Sequence, residues 1–379
     1  MTYRRAAIPA VAGGLLLTAL LWWAGASGQA LRLPGSGDAL GGRMVAELQY
    51  WLAPWSYDPP APDGYGPGGP DAERYLSLHS TGMQIRFAAV FVFFVPGALL
   101  LLRRLPPVRG GGRTPAALLA LWTWGLVAGT LAVTVSAPWL IAAQGHGSYR
   151  FLPQLAGVMA AGRQILTPTA LLAAAVTVAL GRVTAKGAGP VPRPDVPARR
   201  ARLAATAGTA VVALSLVVLS YESVAGAIQA FSPDGGPLAE PGDLLRQLLL
   251  LGGWTGPGGA PGGGWLLQRL VDALVLLVVW WALRLLPGLL TRITVPAMAA
   301  GAVCATVLGL LVSQLLRMAT DGAGPRWGLV HVSGNLGHGV PAALVWGTVA
   351  GTVAALILRP ATRDTETPTA TATGAEAAS

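Results

Sequence analysis

The sequence predicts an all-α integral membrane protein of about eight transmembrane helices, arranged as two tandem, parallel four-helix repeats. Three observations predict this. Of 379 residues, 53% are hydrophobic and only 11% are charged, against roughly 25% charged in a soluble domain. So few charges cannot cover a water-facing surface. Eight apolar stretches approach the about 20 residues that a spanning helix needs. These stretches also recur: sliding Gly147–Val183 onto Gly324–Pro360 without a gap brings Gly147 onto Gly324, Gly157 onto Gly334, Gly162 onto Gly339 and Arg182 onto Arg359. Looser landmarks keep the same order, Gln29-Ala30 with Gln229-Ala230, Gly37-Asp38 with Gly242-Asp243, and Arg103 and Pro106 with Arg284 and Pro287. Four spans per copy is an even number, so both copies enter the bilayer from one side and are related by an axis along the membrane normal.

The predicted spans are Ala6–Ala26, Met83–Leu102, Pro115–Ala142, Gly162–Gly181, Leu203–Glu222, Leu266–Leu283, Val295–Leu316 and Gly339–Leu358. Pro96, Pro138, Pro168 and Pro341 fall inside them, which neighbouring helices can tolerate by satisfying a freed carbonyl. The first span also has the outline of a leader, with Arg4-Arg5, an apolar stretch and the small residues of 24–30. Its counterpart in the second copy, Leu203–Glu222, is internal, and the expectation is a retained helix.

Arginine placement sets the direction. With the N-terminus inside, the cytoplasmic segments hold 16 of the 26 basic residues and only four acids, Asp195, Asp364, Glu366 and Glu376. The positive-inside rule therefore puts both termini in the cytoplasm of a multi-pass cell-membrane protein. The organisation that follows is a first repeat over 1–182 with a long outer loop at 27–82, and a basic, proline-rich linker at 183–202. A second repeat over 203–359 has its outer loop at 223–265, and a tail at 360–379 is expected to be disordered. Each outer loop carries an amphipathic stretch. In the first, Leu40, Met44, Val45, Leu48, Trp51 and Leu52 share a helical face; the second is Asp243–Trp254. Trp51, Trp55, Trp254 and Trp265 suit the headgroup level, so these stretches either lie in the interface or pack as lids on the bundle.

Composition excludes several functions. The net charge of +10 resides on cytoplasmic loops and reflects arginine, 25 against a single lysine, and no nucleic-acid partner is expected. The one cysteine, Cys304, has no partner for a disulfide. There is no Walker loop, HExxH, paired-cysteine motif or G-x-S-x-G elbow, and no cofactor or resident metal is predicted. The spans hold no ionisable residue at mid-depth, where such groups mark ion or proton pathways. Thr123, Thr130, Thr134, Thr177, Thr209, Ser215 and Cys304 are expected to bond back to their own helices, with Gln314 the deepest amide. Gly125–Gly129 and Gly347–Gly351 have the spacing of close helix packing.

Chemistry gathers instead at the outer boundary. Arg86, Arg163, Glu222, Arg269 and Asp272 lie there, read mainly as headgroup snorkelling and local pairing, with Arg269 and Asp272 spaced to neutralise each other. A candidate polar cluster comprises His146, Glu222, Asp272, Asp321, His331, Asn335 and His338. His331 and His338 are seven apart, too far to share an ion from a straight helix, although Gly334, Gly337 and Gly339 would permit a break that folds them together. Two functions follow. One is a non-catalytic permease-like or scaffold subunit in the lipid bilayer, working with a partner membrane protein or ATPase. The other is an outer-face enzyme or sensor drawing acid, base or ligand groups from the cluster.

Overall fold

The computed structural model describes residues 3–31, 33–34, 41–52, 54–57, 72–106, 113–144, 151–160, 164–185, 196–233, 240–252, 262–320 and 325–363, with only the backbone path for 72, 262–265, 267, 318, 320, 325–338 and 360–363. Among these residues every long element is a helix: α1 (Tyr3–Ala30), α2 (Gly42–Leu52), α3 (Ala72–Arg104), α4 (Arg113–Ala142), α5 (Phe151–Ala160) and α6 (Leu166–Thr184). After the linker come α7 (Ala198–Ala213), which runs on through a π-helical turn (Leu214–Leu219), then α8 (Glu222–Gln229), α9 (Gly242–Leu249), α10 (Gly262–Leu289), α11 (Val295–Thr320) and α12 (Pro325–Arg363). Eight of them, α1, α3, α4, α6, α7 with its π turn, α10, α11 and α12, are long and apolar enough to cross a membrane. The molecule is thus built as a polytopic membrane protein, with the number of spans expected from composition.

Two boundaries differ from expectation. The second spanning helix begins at Ala72, well before Met83, so Arg86 lies in its interior rather than in its first turn. The fifth ends at Leu219, and Glu222 opens the separate helix α8 instead of closing the span. The proline-rich loop at 58–71 and the tail after Arg363 lie outside the described residues.

Each half closes into a ring of four spans. In the first, α1 packs on α3, α3 on α4, α4 on α6, and α6 returns to α1; in the second, α7 packs on α10, α10 on α11, α11 on α12, and α12 returns to α7. Between apolar helices in lipid the attraction is van der Waals contact, which small residues permit by letting backbones approach. Both rings close this way at the first-to-fourth contact, Gly13 lying against Thr177 and Gly208 against the Ala350 carbonyl. The offset that aligns Gly162 with Gly339 also aligns Ser136 with Ser313. Both hydroxyls are buried and donate to the carbonyl three residues back, Ser136 to Val133 (3.0 Å) and Ser313 to Leu310 (2.7 Å).

The rings meet along their third spans. The apolar stretches of α4 and α11 are 67% and 72% buried, against 33% and 28% for α7 and α10. Cys304 on α11 donates its thiol to the Ala120 carbonyl on α4 (3.3 Å). At the linker end, the Thr291 amide donates to the Arg104 carbonyl (2.8 Å), which brings the C-terminal ends of α3 and α10 to the same end of the molecule. Most mid-span hydroxyls behave as expected. Thr123, Thr130, Thr134 and Thr177 each donate to the carbonyl four residues back, at 2.6–2.9 Å. Three groups depart from this: Cys304 bonds across to α4, Thr209 Oγ1 is buried without a hydrogen bond, and Ser215 belongs to the site below.

Candidate functional site

The ends of the two rings away from the linker are closed differently. In the first, Pro54–Tyr57 drops into the mouth. Trp55 is fully buried, its ring 5.9 Å from Phe87, and Tyr57 lies 5.6 Å from the same ring. Burial raises the pKa of the Tyr57 phenol, which keeps it neutral. Arg86 clamps this plug: Nε donates to Ser136 Oγ (2.9 Å), a second guanidinium nitrogen donates to the Pro54 carbonyl, and the cation lies 5.8 Å from the Trp55 ring. Arg86 is 3% exposed, and the snorkelling expected of it does not occur. Trp55 was likewise expected at headgroup level and is instead core. The chain turns inward after α2, at Pro54, so a guanidinium deep in α3 finds a carbonyl and an aromatic face in place of water.

The second mouth is held by Ser215. The π turn shifts backbone pairing there, with the Ser220 amide donating to the Ser215 carbonyl (3.1 Å). Ser215 Oγ donates to the Leu249 carbonyl (2.5 Å) and accepts from the Leu251 amide (3.2 Å), and Trp346 Nε1 donates to the same Leu249 carbonyl (2.9 Å). Leu250 and Leu251 are buried beneath these bonds. Replacing Ser215 with Ala removes both hydroxyl bonds in a water-poor setting, at a cost of about 1–3 kcal/mol. Amide exchange across 249–252 should accelerate by the corresponding factor, while exchange across 54–57 stays unchanged.

The amphipathic stretches of the two loops also part company. On α2, Met44 and Leu48 of the apolar face remain exposed, the arrangement of a helix lying on an interface. On α9, Leu244, Leu245, Leu248 and Leu249 are half-buried against α5, α8 and α12, so α9 is a lid. Trp254 and the Trp265 side chain lie outside the described residues.

Beneath α9 is a cavity of about 580 Å³, within the usual range for ligand sites. The first half contributes one wall, α5, through Pro153, Ala156, Gly157 and Ala160. The rest comes from the second half: Asp243, Arg246 and Gln247 on α9, Asp272 and Val275 on α10, and Leu310, Ser313, Gln314 and Arg317 on α11. Asp272, Arg317 and Gly339 sit at or near the ends of three spanning-length segments, so the cavity lies at one end of these apolar stretches. Asp272 pairs with Arg269 at 3.0 Å, as its spacing predicts, and reaches Arg317 on the next helix at 3.9 Å. On the lid, Arg246 donates to Gln229 Oε1 (2.8 Å) and Gln229 donates to Asp243 (3.1 Å).

Of the two cluster members whose side chains are described, Asp272 lines the cavity and Glu222 does not. Glu222 is exposed in the first turn of α8, where a carboxylate suits the helix dipole. His146 and Asp321 lie outside the described residues. His331, Asn335 and His338 fall on α12, whose backbone runs helical through Gly334, Gly337 and Gly339 without the break that would fold the histidines together. Their side chains are not among those described. Among the described residues, no three His, Cys, Asp or Glu side chains gather as for a metal ion. Sequence reasoning passed over Asp243, Arg246, Gln247 and Arg317 as site residues. The available signal is the charged flank of α9, in a stretch that the sequence leaves open between interface helix and lid. No protein family, curated protein or solved structure matches the chain.

Proposed function

We propose that the chain is a non-catalytic, permease-like or scaffold subunit of the cell membrane, built from two tandem parallel repeats and working with partner proteins. The cavity under α9 is the place where it receives a substrate or partner group. Identical neighbour order in the two rings and the matching Ser136 and Ser313 support the repeat reading. The observation that carries the function is a cavity walled jointly by α5 of the first half and α9–α12 of the second, since duplicated membrane proteins bind at the junction of their copies. Its charged groups are arranged for recognition. Asp272 is held by Arg269 and Arg317. The sequence holds no nucleotide-binding loop, so active movement of a solute would draw on a partner ATPase.

Gly157→Trp tests this reading. A Cβ at Gly157 meets nothing within 4 Å, so the indole enters the cavity without disturbing the helix. In cells, the variant should reach the membrane at the normal level yet lose the complex or uptake that the wild-type chain supports. Purified wild-type chain that turns over a substrate unaided would contradict the proposal.

A further inference from the structure

The geometry points to a zwitterionic amphiphile as the ligand of this cavity, a headgroup with one anionic and one cationic centre on an apolar tail. The inference rests on the cavity being the functional site. Among the described lining residues the charged side chains are balanced, Arg246 and Arg317 against Asp243 and Asp272, so these walls favour neither a net anion nor a net cation. Each wall carries both signs, Arg246 and Asp243 on the lid and Arg317 and Asp272 on the spans, so a dipolar headgroup finds a cation and an anion on either side of it. Guanidinium groups suit a phosphate or carboxylate, and aspartates suit an ammonium.

Below Arg317 the lining passes through Gln314 and Ser313 to the apolar Leu216, Val275 and Leu310, which lie within the spanning-length segments where an acyl chain would sit. The first mouth supplies an internal precedent. There the chain places its own apolar body, Trp55, beside its own cation, Arg86, packed to exclusion of solvent. The second mouth is closed by Leu250 and Leu251, without an aromatic–arginine pair among its described residues, and the cavity beside them offers apolar surface and a guanidinium to an outside molecule.

The test uses full-length protein in lipid nanodiscs and three probes: lysophosphatidylethanolamine, anionic lysophosphatidylglycerol and soluble phosphoethanolamine. The zwitterionic lysolipid should bind saturably and at least about tenfold more tightly than the other two. Asp272→Asn makes the lining net positive and should reverse the preference toward the anionic lysolipid. Arg246→Gln, on an exposed side chain, should weaken both lysolipids without affecting folding. Equal binding of soluble phosphoethanolamine would overturn the tail, and wild-type preference for the anionic lysolipid would overturn the zwitterion. Zwitterion binding that survives Gly157→Trp removes the cavity itself as the site, and with it the functional reading.

Discussion

Replacing Gly351 with Leu is expected to prevent the second ring from assembling. A Cβ at Gly351 would overlap the backbone of Met298 and Ala299, and one at Gly347 would stand 2.6 Å from the Val303 Cα. These are main-chain atoms of a packed helix, so no rotamer change relieves the contact. Overpacking costs about 1–3 kcal/mol where side chains can adjust, and the cost is at the upper end or beyond where they cannot. The α11–α12 contact also walls the cavity through Leu310, Ser313 and Gly339, so site and seam should fail together. Thermal melting of the purified protein should show loss of the monodisperse folded species for Gly351→Leu and a smaller drop for Gly347→Ala. Gly226→Ala, with nothing within 4 Å of the new methyl, should melt as wild type.

The second large effect is expected at Arg86. Replacement with Met keeps bulk and apolar stem but removes the donors to Ser136 and to the Pro54 carbonyl. Hydrogen bonds to a charged group contribute about 1.5–3 kcal/mol each, and the abandoned acceptors stay buried. The loop holding Trp55 should release, seen as faster amide exchange across 54–57 and cleavage by an added protease at that loop. Arg86→Lys should rescue little, because an ammonium at one point cannot span both acceptors and the Trp55 face. A double-mutant cycle with Ser136→Ala should return a coupling of about 1 kcal/mol or more. Independent, additive effects would mean that Arg86 stabilises only by its bulk.

These two sites show where sequence reading succeeds and where it stops. The spans were legible because an apolar run of membrane length has few other uses, and the small-residue spacings at Gly125–Gly129 and Gly347–Gly351 are the seams they resemble. The threonines were legible too, since a hydroxyl in an apolar helix finds its nearest acceptor four residues back. Arg86 was not. A lone arginine near a span end carries the same local signal whether it reaches out to headgroups or inward to a loop carbonyl, and Pro54 is remote from it in sequence. Ser215 escaped for the same reason, its partners Leu249 and Leu251 lying 34 and 36 residues away, at the end of α9 and just past it. Both loop stretches are legible as amphipathic. Only the presence of α5 and α12 beside α9 decides that α9 packs while α2 leaves Met44 and Leu48 uncovered.

All of this depends on two like-oriented sets of four spans. Single-cysteine labelling with a membrane-impermeant maleimide tests it most directly, in a Cys304→Ala background with reporters at positions 2, 193 and 370 and at 64 and 236. Protection at 2, 193 and 370 with labelling at 64 and 236 in intact cells is the predicted result. Labelling at 193 from outside would mean an odd number of crossings in the first half and would contradict the account.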